Sequence, residues 1–220
     1  MTIRICVSIL PETPYEARKL ITHAEDLQVD FIEIRLDNIG KSHHLVDLTT
    51  HVETPLIAAD HSRREESEHQ AILLNAAKSG FNYIDVPLSS HKLQNFVSTI
   101  KATGAKSIVS FHDYSKTLNL NELNRILERE VSSGADVCKI VTTATKMEDN
   151  LTLLQFLSSA PIRKKPICFA MGELGKTSRL LSPVFGSFFT FATLEQGSET
   201  ASGQMTVQEM RTAYEILGLR

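Results

Sequence analysis

Hydrophobic residues along this chain keep two rhythms that take turns. Short, predominantly apolar runs at 3–9, 31–36, 55–59, 82–86, 106–111, 137–141, 166–170 and 187–191 predict strands. Between them the apolar positions recur at helical spacing. Thr13 caps a helix that has Pro14 at its first position and runs to about residue 27. A weaker helical stretch covers 45–51. Helices at 65–79, 90–103 and 121–133 are each closed by a glycine: Gly80, Gly104 and Gly134. Further helices are predicted at 146–158, 174–182 (short) and 206–217, the last with Thr206 and Glu209 spaced as a capping box. Strict strand–helix alternation implies a parallel sheet, and eight units imply a closed (β/α)8 TIM barrel, one domain over 1–220. An open doubly wound sheet would need a Gly-rich first turn, and Leu10-Pro11-Glu12 is not one.

Composition narrows the function classes. Hydrophobic content of 42% and charged content of 22% are ordinary for a globule of 220 residues, which needs lean loops to close a barrel. Net charge is −3 with both signs mixed, so no nucleic-acid or anionic-membrane partner is expected. There is no apolar run of ~18 residues to span a bilayer. The opening run stops at Pro11, too early for a signal peptide, and the expected location is cytoplasmic. Cys6, Cys138 and Cys168 sit far apart in strand-like runs, as buried core residues rather than a disulfide or metal framework.

The chemistry gathers where the strands end. In Ala135-Asp136-Val137-Cys138-Lys139-Ile140-Val141 a single lysine lies mid-strand. Desolvation pushes a buried ammonium toward the neutral amine, a nucleophile for a ketone or aldehyde. Lys139 is therefore the candidate covalent centre; the structural alternative is a lysine that snorkels out or pairs with a carboxylate. Glu33, Arg35 and Asp37 alternate and so share one face, where they must pair with each other or with a ligand. His112 ends the strand before the lysine strand, at the same height, and imidazole is the group suited to proton transfer near neutrality. Arg179 follows the seventh strand in a Gly-containing loop. Its Gly175-Lys176-Thr177 triplet is no P-loop, because the leading glycine would fall on Ala170. His61, Glu65 and His69 recur every four residues, read as a solvated helix face rather than a metal stripe.

These pieces in this order resemble the type I 3-dehydroquinate dehydratases: Glu33-Ile-Arg35-Leu-Asp37, Ser110-Phe-His112-Asp-Tyr114, Val-Cys-Lys139-Ile, Met171-Gly172 with Ser178-Arg179, Val184-Phe-Gly186, Thr190-Phe191-Ala192 and Ala201-Ser-Gly203-Gln204. The resemblance implies a Schiff base between Lys139 and the ring ketone of 3-dehydroquinate, with no cofactor. It implies that His112 removes the α-proton and then protonates the departing hydroxyl, giving 3-dehydroshikimate. Glu33 and Arg35 resemble the pair that holds substrate hydroxyls, Arg179 the carboxylate clamp, and Gln204 the closing-loop ligand; Thr200, also expected to bind substrate, stands where the family commonly has a serine on that loop and keeps the hydroxyl. Ser8 joins the substrate-binding set, and Met171 and Phe191 resemble apolar lining. A homodimer is implied by the family alone.

Two departures stand out. The family carries Arg, three residues, then Glu-Gly-Gly after the third strand, its Glu orienting the histidine. Here the text is His61-Ser-Arg63-Arg64-Glu65-Glu66-Ser67, which makes Glu66 the expected orienting carboxylate and Arg63 (or Arg64) the substitute arginine. Asp85-Val86-Pro87 also lacks a Glu that the family has after the fourth strand. Three other functions compete. A class I aldolase would use the same lysine on the same barrel but needs a phosphate grip, where Arg179 and Gln204 suit a carboxylate. A ligand-binding barrel without catalysis has no use for both His112 and Lys139. A partner-binding protein would show an exposed apolar repeat.

Overall fold

The structure, a computed structural model, describes residues 3–41, 44–160 and 166–219. Each expected strand–helix unit forms. The strands are β1 (Ile5–Ile9), β2 (Phe31–Arg35), β3 (Leu56–Ala59), β4 (Tyr83–Pro87), β5 (Lys106–His112), β6 (Val137–Thr143), β7 (Ile167–Met171) and β8 (Thr190–Ala192). The helices between and after them are α1 (Pro14–Asp26), α2 (Leu45–Thr49), α3 (Glu66–Lys78), α4 (Leu93–Ala102), α5 (Leu120–Ser132), α6 (Glu148–Ser159), α7 (Lys176–Leu181) and α8 (Val207–Ile216). Their starts follow local chemistry. The Thr13 hydroxyl accepts the Glu16 N–H, and Asn119–Glu122 and Thr206–Glu209 form reciprocal capping boxes.

All paired strands are parallel, in the order β7-β6-β5-β4-β3-β2-β1-β8. The remaining seam, between β7 and β8, is bridged by the Phe188 N–H on the Pro166 carbonyl, 3.3 Å. β8 begins three residues later than expected. Ser187 explains the delay: its hydroxyl donates to the Phe189 carbonyl and accepts the Cys168 N–H, so this stretch is held by a side chain before pairing with β1 starts at Ile5–Thr190. α4 also starts later than the expected residue 90: Lys92, at φ +49°, is left-handed, so the helix begins only at Leu93.

Alternation along each strand sends one set of side chains outward to the helices and the other into the barrel. The outward sets form two apolar clusters under the helix ring, the larger including Val7, Ile32, Ile34, Leu73 and Ile84 and the smaller Val109, Leu123, Ile140, Leu153 and Phe156. The three cysteines are buried, and none is joined in a disulfide. Inside, Cys6, Phe31, Ile57, Tyr83, Ile108, Val137, Ile167 and Phe189 plug the amino-terminal part of the barrel. The rings of Phe31 and Phe189 lie 4.8 Å apart and those of Phe189 and Phe191 5.2 Å apart at 77°. Such pairs are worth roughly 0.5–1.5 kcal/mol each beyond their burial. This aromatic plug is a dry floor, and every polar inward residue sits above it, toward the carboxyl ends of the strands.

Candidate active site

The next inward positions up from the floor are Ser8 on β1, Glu33 on β2, Asp85 on β4, Ser110 on β5 and Lys139 on β6. The register sets Ser8 beside Glu33 and Ser110 beside Lys139. Lys139 is 4% exposed, and its Nζ lies 2.7 Å from Asp85 Oδ2 and 3.1 Å from Glu33 Oε2. The Ser8 hydroxyl donates to the other Glu33 oxygen at 2.7 Å, and the Ser110 hydroxyl to the other Asp85 oxygen at 2.5 Å. The Phe191 ring closes one side, its centroid 4.6 Å from Nζ.

This geometry corrects the expectation of a neutral amine. Burial does act to lower the Lys139 pKa, but the carboxylates of Asp85 and then Glu33 outweigh it and hold the ammonium above its ordinary range. Burial pushes Asp85 upward; the Lys139 charge, followed by His61 and His112, nonetheless draws it down to about 2. Sequence reasoning noted only that the segment around Asp85 lacks a glutamate. The available signal was a carboxylate at an inward position of an otherwise apolar strand, where it needs a cation.

His112 ends β5 and is half-buried; it sits level with Val141, one inward layer above Lys139 and not at the same height as expected, because Ser110 takes the place beside the lysine. Burial first, then the charges of Lys139 and His61, pull its pKa to about 3, so the imidazole is neutral at physiological pH. The Tyr114 ring stacks on it at 5.9 Å and 13°, and the His61 ring meets it edge-on at 5.2 Å and 90°. Glu66, expected to orient His112, is not brought to it. It is exposed at the start of α3, where its Oε1 accepts the His91 N–H at 3.0 Å and a Gln70 Nε2–H at 2.7 Å. The segment before α3 turns the other way because Arg64 is captured: it donates to Ser62 Oγ and Glu68 and to the Asp37 carbonyl, and pairs with Asp60. Arg63 is consequently exposed on an outer hollow beside Lys41, Arg64 and Glu68, not in the central cavity. Nor is His61 on a solvated helix face; it lines the cavity. His69 is buried, its Nε2 2.8 Å from the Asp60 carbonyl.

The cavity above Lys139 has a volume of about 270 Å³. Glu33, Arg35, His61, His112 and Tyr114 form one wall and Met171, Phe169, Phe191 and Arg179 the other, with Thr200, Ala201 and Gln204 as a roof. Arg35 is engaged twice by Asp37, at 2.9 and 2.6 Å, which fixes its fork at the rim. Arg179 differs. It is 1% exposed and lies 4.3 Å over the Phe169 ring, with a long bond of 3.5 Å from Nη2 to the Ser202 carbonyl. Its Nε has no partner among the described residues, and burial pulls its pKa to about 9. A buried guanidinium without a counter-charge is primed for an anion.

The roof is tied down across the barrel. Thr200 Oγ1 donates to Ser8 Oγ at 2.9 Å, and Gln204 Oε1 accepts the Thr200 N–H at 2.8 Å. Gly203 lets the roof approach: at φ +78°, a Cβ there would land on the Gly172 carbonyl, and the Gly172 N–H donates to Ser202 at 3.1 Å.

A barrel with a sealed lysine, a neutral histidine and an unpaired arginine facing one cavity now meets its relatives. The family model described as Type I 3-dehydroquinase matches residues 5–220. The chain belongs to the type I 3-dehydroquinase family. A 3-dehydroquinate dehydratase of Dehalococcoides mccartyi is 34% identical over 191 residues, covering 84% of each chain. One from Methanothermobacter thermautotrophicus is 32% identical over 219 residues, covering 96% of each. Among solved structures, the type I 3-dehydroquinate dehydratase from Clostridium difficile, carrying covalently modified comenic acid, superposes with a TM-score of 0.86 at 24% identity. That match covers 98% of this chain and 92% of that one, and confirms the barrel. No helix among the described residues is long and apolar enough to cross a membrane.

Proposed function

We propose that this type I dehydroquinase converts 3-dehydroquinate to 3-dehydroshikimate through a Schiff base on Lys139. The observation that carries the reading is the buried ammonium between two carboxylates, opening into the cavity that His112 also faces. Arg179 takes the substrate carboxylate, with Gln204 closing over it. Glu33, Arg35, Ser8 and Thr200 meet the ring hydroxyls.

Lys139 first passes a proton to Glu33, 3.1 Å away, and the free amine attacks the ring ketone, whose oxygen takes that proton up as it leaves. Loss of the carbonyl oxygen as water yields a protonated iminium. The iminium carries the same single positive charge as the resting ammonium, so Asp85 and Glu33 stabilise both without rearranging. The iminium draws electrons from the adjacent carbon and acidifies its C–H. Neutral His112 removes that proton, forming an enamine and an imidazolium. The enamine's electron pair then expels the hydroxyl one carbon further on, and the imidazolium protonates it to water. One imidazole thus serves as base and then as acid. Water hydrolyses the remaining iminium, releasing product and restoring the amine.

Borohydride added together with 3-dehydroquinate tests this. It should inactivate the enzyme and add the mass of the reduced ligand to the peptide that holds Lys139. Labelling at another lysine, or none, overturns the assignment.

A further inference from the structure

With Glu66 bonded to His91, His112 has no carboxylate to hold its ring. Among the described residues neither of its imidazole nitrogens makes a hydrogen bond, and what meets the ring is Tyr114 on one face and His61. Tyr114 is 69% exposed, a poor brace. His61 is better anchored. Its backbone N–H donates to Asp37 Oδ2 at 3.3 Å, the same carboxylate that clamps Arg35, so the residue is tied to the rim of β2.

We propose that His61 is a positioning residue for His112: it braces the His112 ring edge-to-face and is electrostatically coupled to it, so that His112 is held as the base. The proposal rests on the dehydratase reading above for its catalytic meaning, but its physical content is a property of the free enzyme.

The charges around the pair support it. Arg35 and Asp37 face His61 from β2 and its following turn, and Glu33 lies deeper on the same strand. Asp85 faces both imidazoles from β4, and Lys139 faces them from β6. Burial, then Arg35, lowers the His61 pKa, while Asp85 and Glu33 oppose that. His112 is displaced to about 3, and the His61 charge is one of the causes. The two rings are in contact, so a charge on His61 opposes one on His112. An aromatic contact of this kind also fixes ring orientation, which a base needs in order to reach one particular C–H.

Two variants and two readouts test it. His61→Phe keeps the ring and removes the proton; His61→Gln keeps a hydrogen-bonding side chain and also cannot titrate. Histidine Cε1–H resonances are followed by NMR against pH in the free proteins, and kcat and KM are measured with 3-dehydroquinate over the same range. In both folded variants the His112 resonance should titrate roughly one pH unit higher than in the parent. The acid limb of kcat/KM should move up with it, and KM should stay within about threefold. His61→Gln should lose kcat by roughly tenfold, a fraction of what a general base contributes. An unchanged His112 titration in either folded variant overturns the proposal, as does a variant whose main defect is in KM, since that would make His61 a substrate contact. Failure of the dehydratase reading registers separately, as absence of turnover and of Lys139 labelling in the parent, while the NMR titration still reads the two imidazoles.

Discussion

Asp85→Asn is the sharpest perturbation the site offers, because it removes a charge and almost no volume. Asp85 Oδ2 is 2.7 Å from Lys139 Nζ, both groups are buried, and Glu33 stays behind at 3.1 Å. Breaking a buried ion pair by removing one partner costs about 3–5 kcal/mol. At ~1.36 kcal/mol per pKa unit that is roughly two to four units on the Lys139 amine. Glu33 remains paired, so the lower end is expected, about two units. The same loss falls on the protonated iminium, which occupies the same charge site. The assay is the rate of inactivation by cyanoborohydride with 3-dehydroquinate, followed across pH. The parent rate should keep rising to the alkaline end of the range, because the ammonium is held above its ordinary value. The variant should reach its plateau about two pH units earlier, with less adduct at the plateau. Stability follows the same signs. The raised Lys139 pKa contributes stability below the unfolded value of about 10.4, lost as pH rises through the folded one; the depressed Asp85 pKa contributes above about 3.9, lost as pH falls through about 2. The variant should therefore melt below the parent at neutral pH, with the gap closing toward pH 2. An inactivation profile identical to that of the parent in a folded variant would refute the electrostatic account of Lys139.

Two further outcomes follow from buried groups. Arg179→Ala should raise KM for 3-dehydroquinate by roughly ten- to hundredfold with a smaller effect on kcat, since a charge-assisted pair to a carboxylate supplies about 1.5–3 kcal/mol; an unchanged KM in steady-state assays would move the carboxylate clamp to Arg35. Glu130 on α5 is fully buried behind β6, and burial first, then the Asp85 charge, pushes its pKa well above the carboxyl range. Its contribution to stability is then present below the unfolded value of about 4.3 and lost as pH rises toward the folded one. Glu130→Gln should flatten that loss, giving a melting temperature that gains on the parent as pH is raised from 5 to 9; parallel melting curves would count against a buried ionisable Glu130.

The order of strands and helices, the barrel, and which side chains turn into it are legible in the sequence, because they depend on local periodicity. An inward position on a strand repeats every second residue, so Glu33, His112 and Lys139 could all be turned into the barrel from the chain alone, but the register sets His112 one layer higher, beside Val141. Their partners could not be read from the chain. Lys139 meets Asp85 from 54 residues away and Glu33 from 106, and Thr200 reaches Ser8 across 192. Such pairings exist only once the barrel has closed, and closure decides whether a buried lysine loses its proton to desolvation or keeps it beside two carboxylates. The segment from His61 to Glu66 shows the same limit. Periodicity there is weak, and the choice of which side chain turns inward was made by Asp37, Asp60 and Glu68 capturing Arg64 and the His61 backbone. That capture sent Arg63 and Glu66 outward and put His61 against His112, because charged groups near a barrel mouth settle where their counter-charges already are.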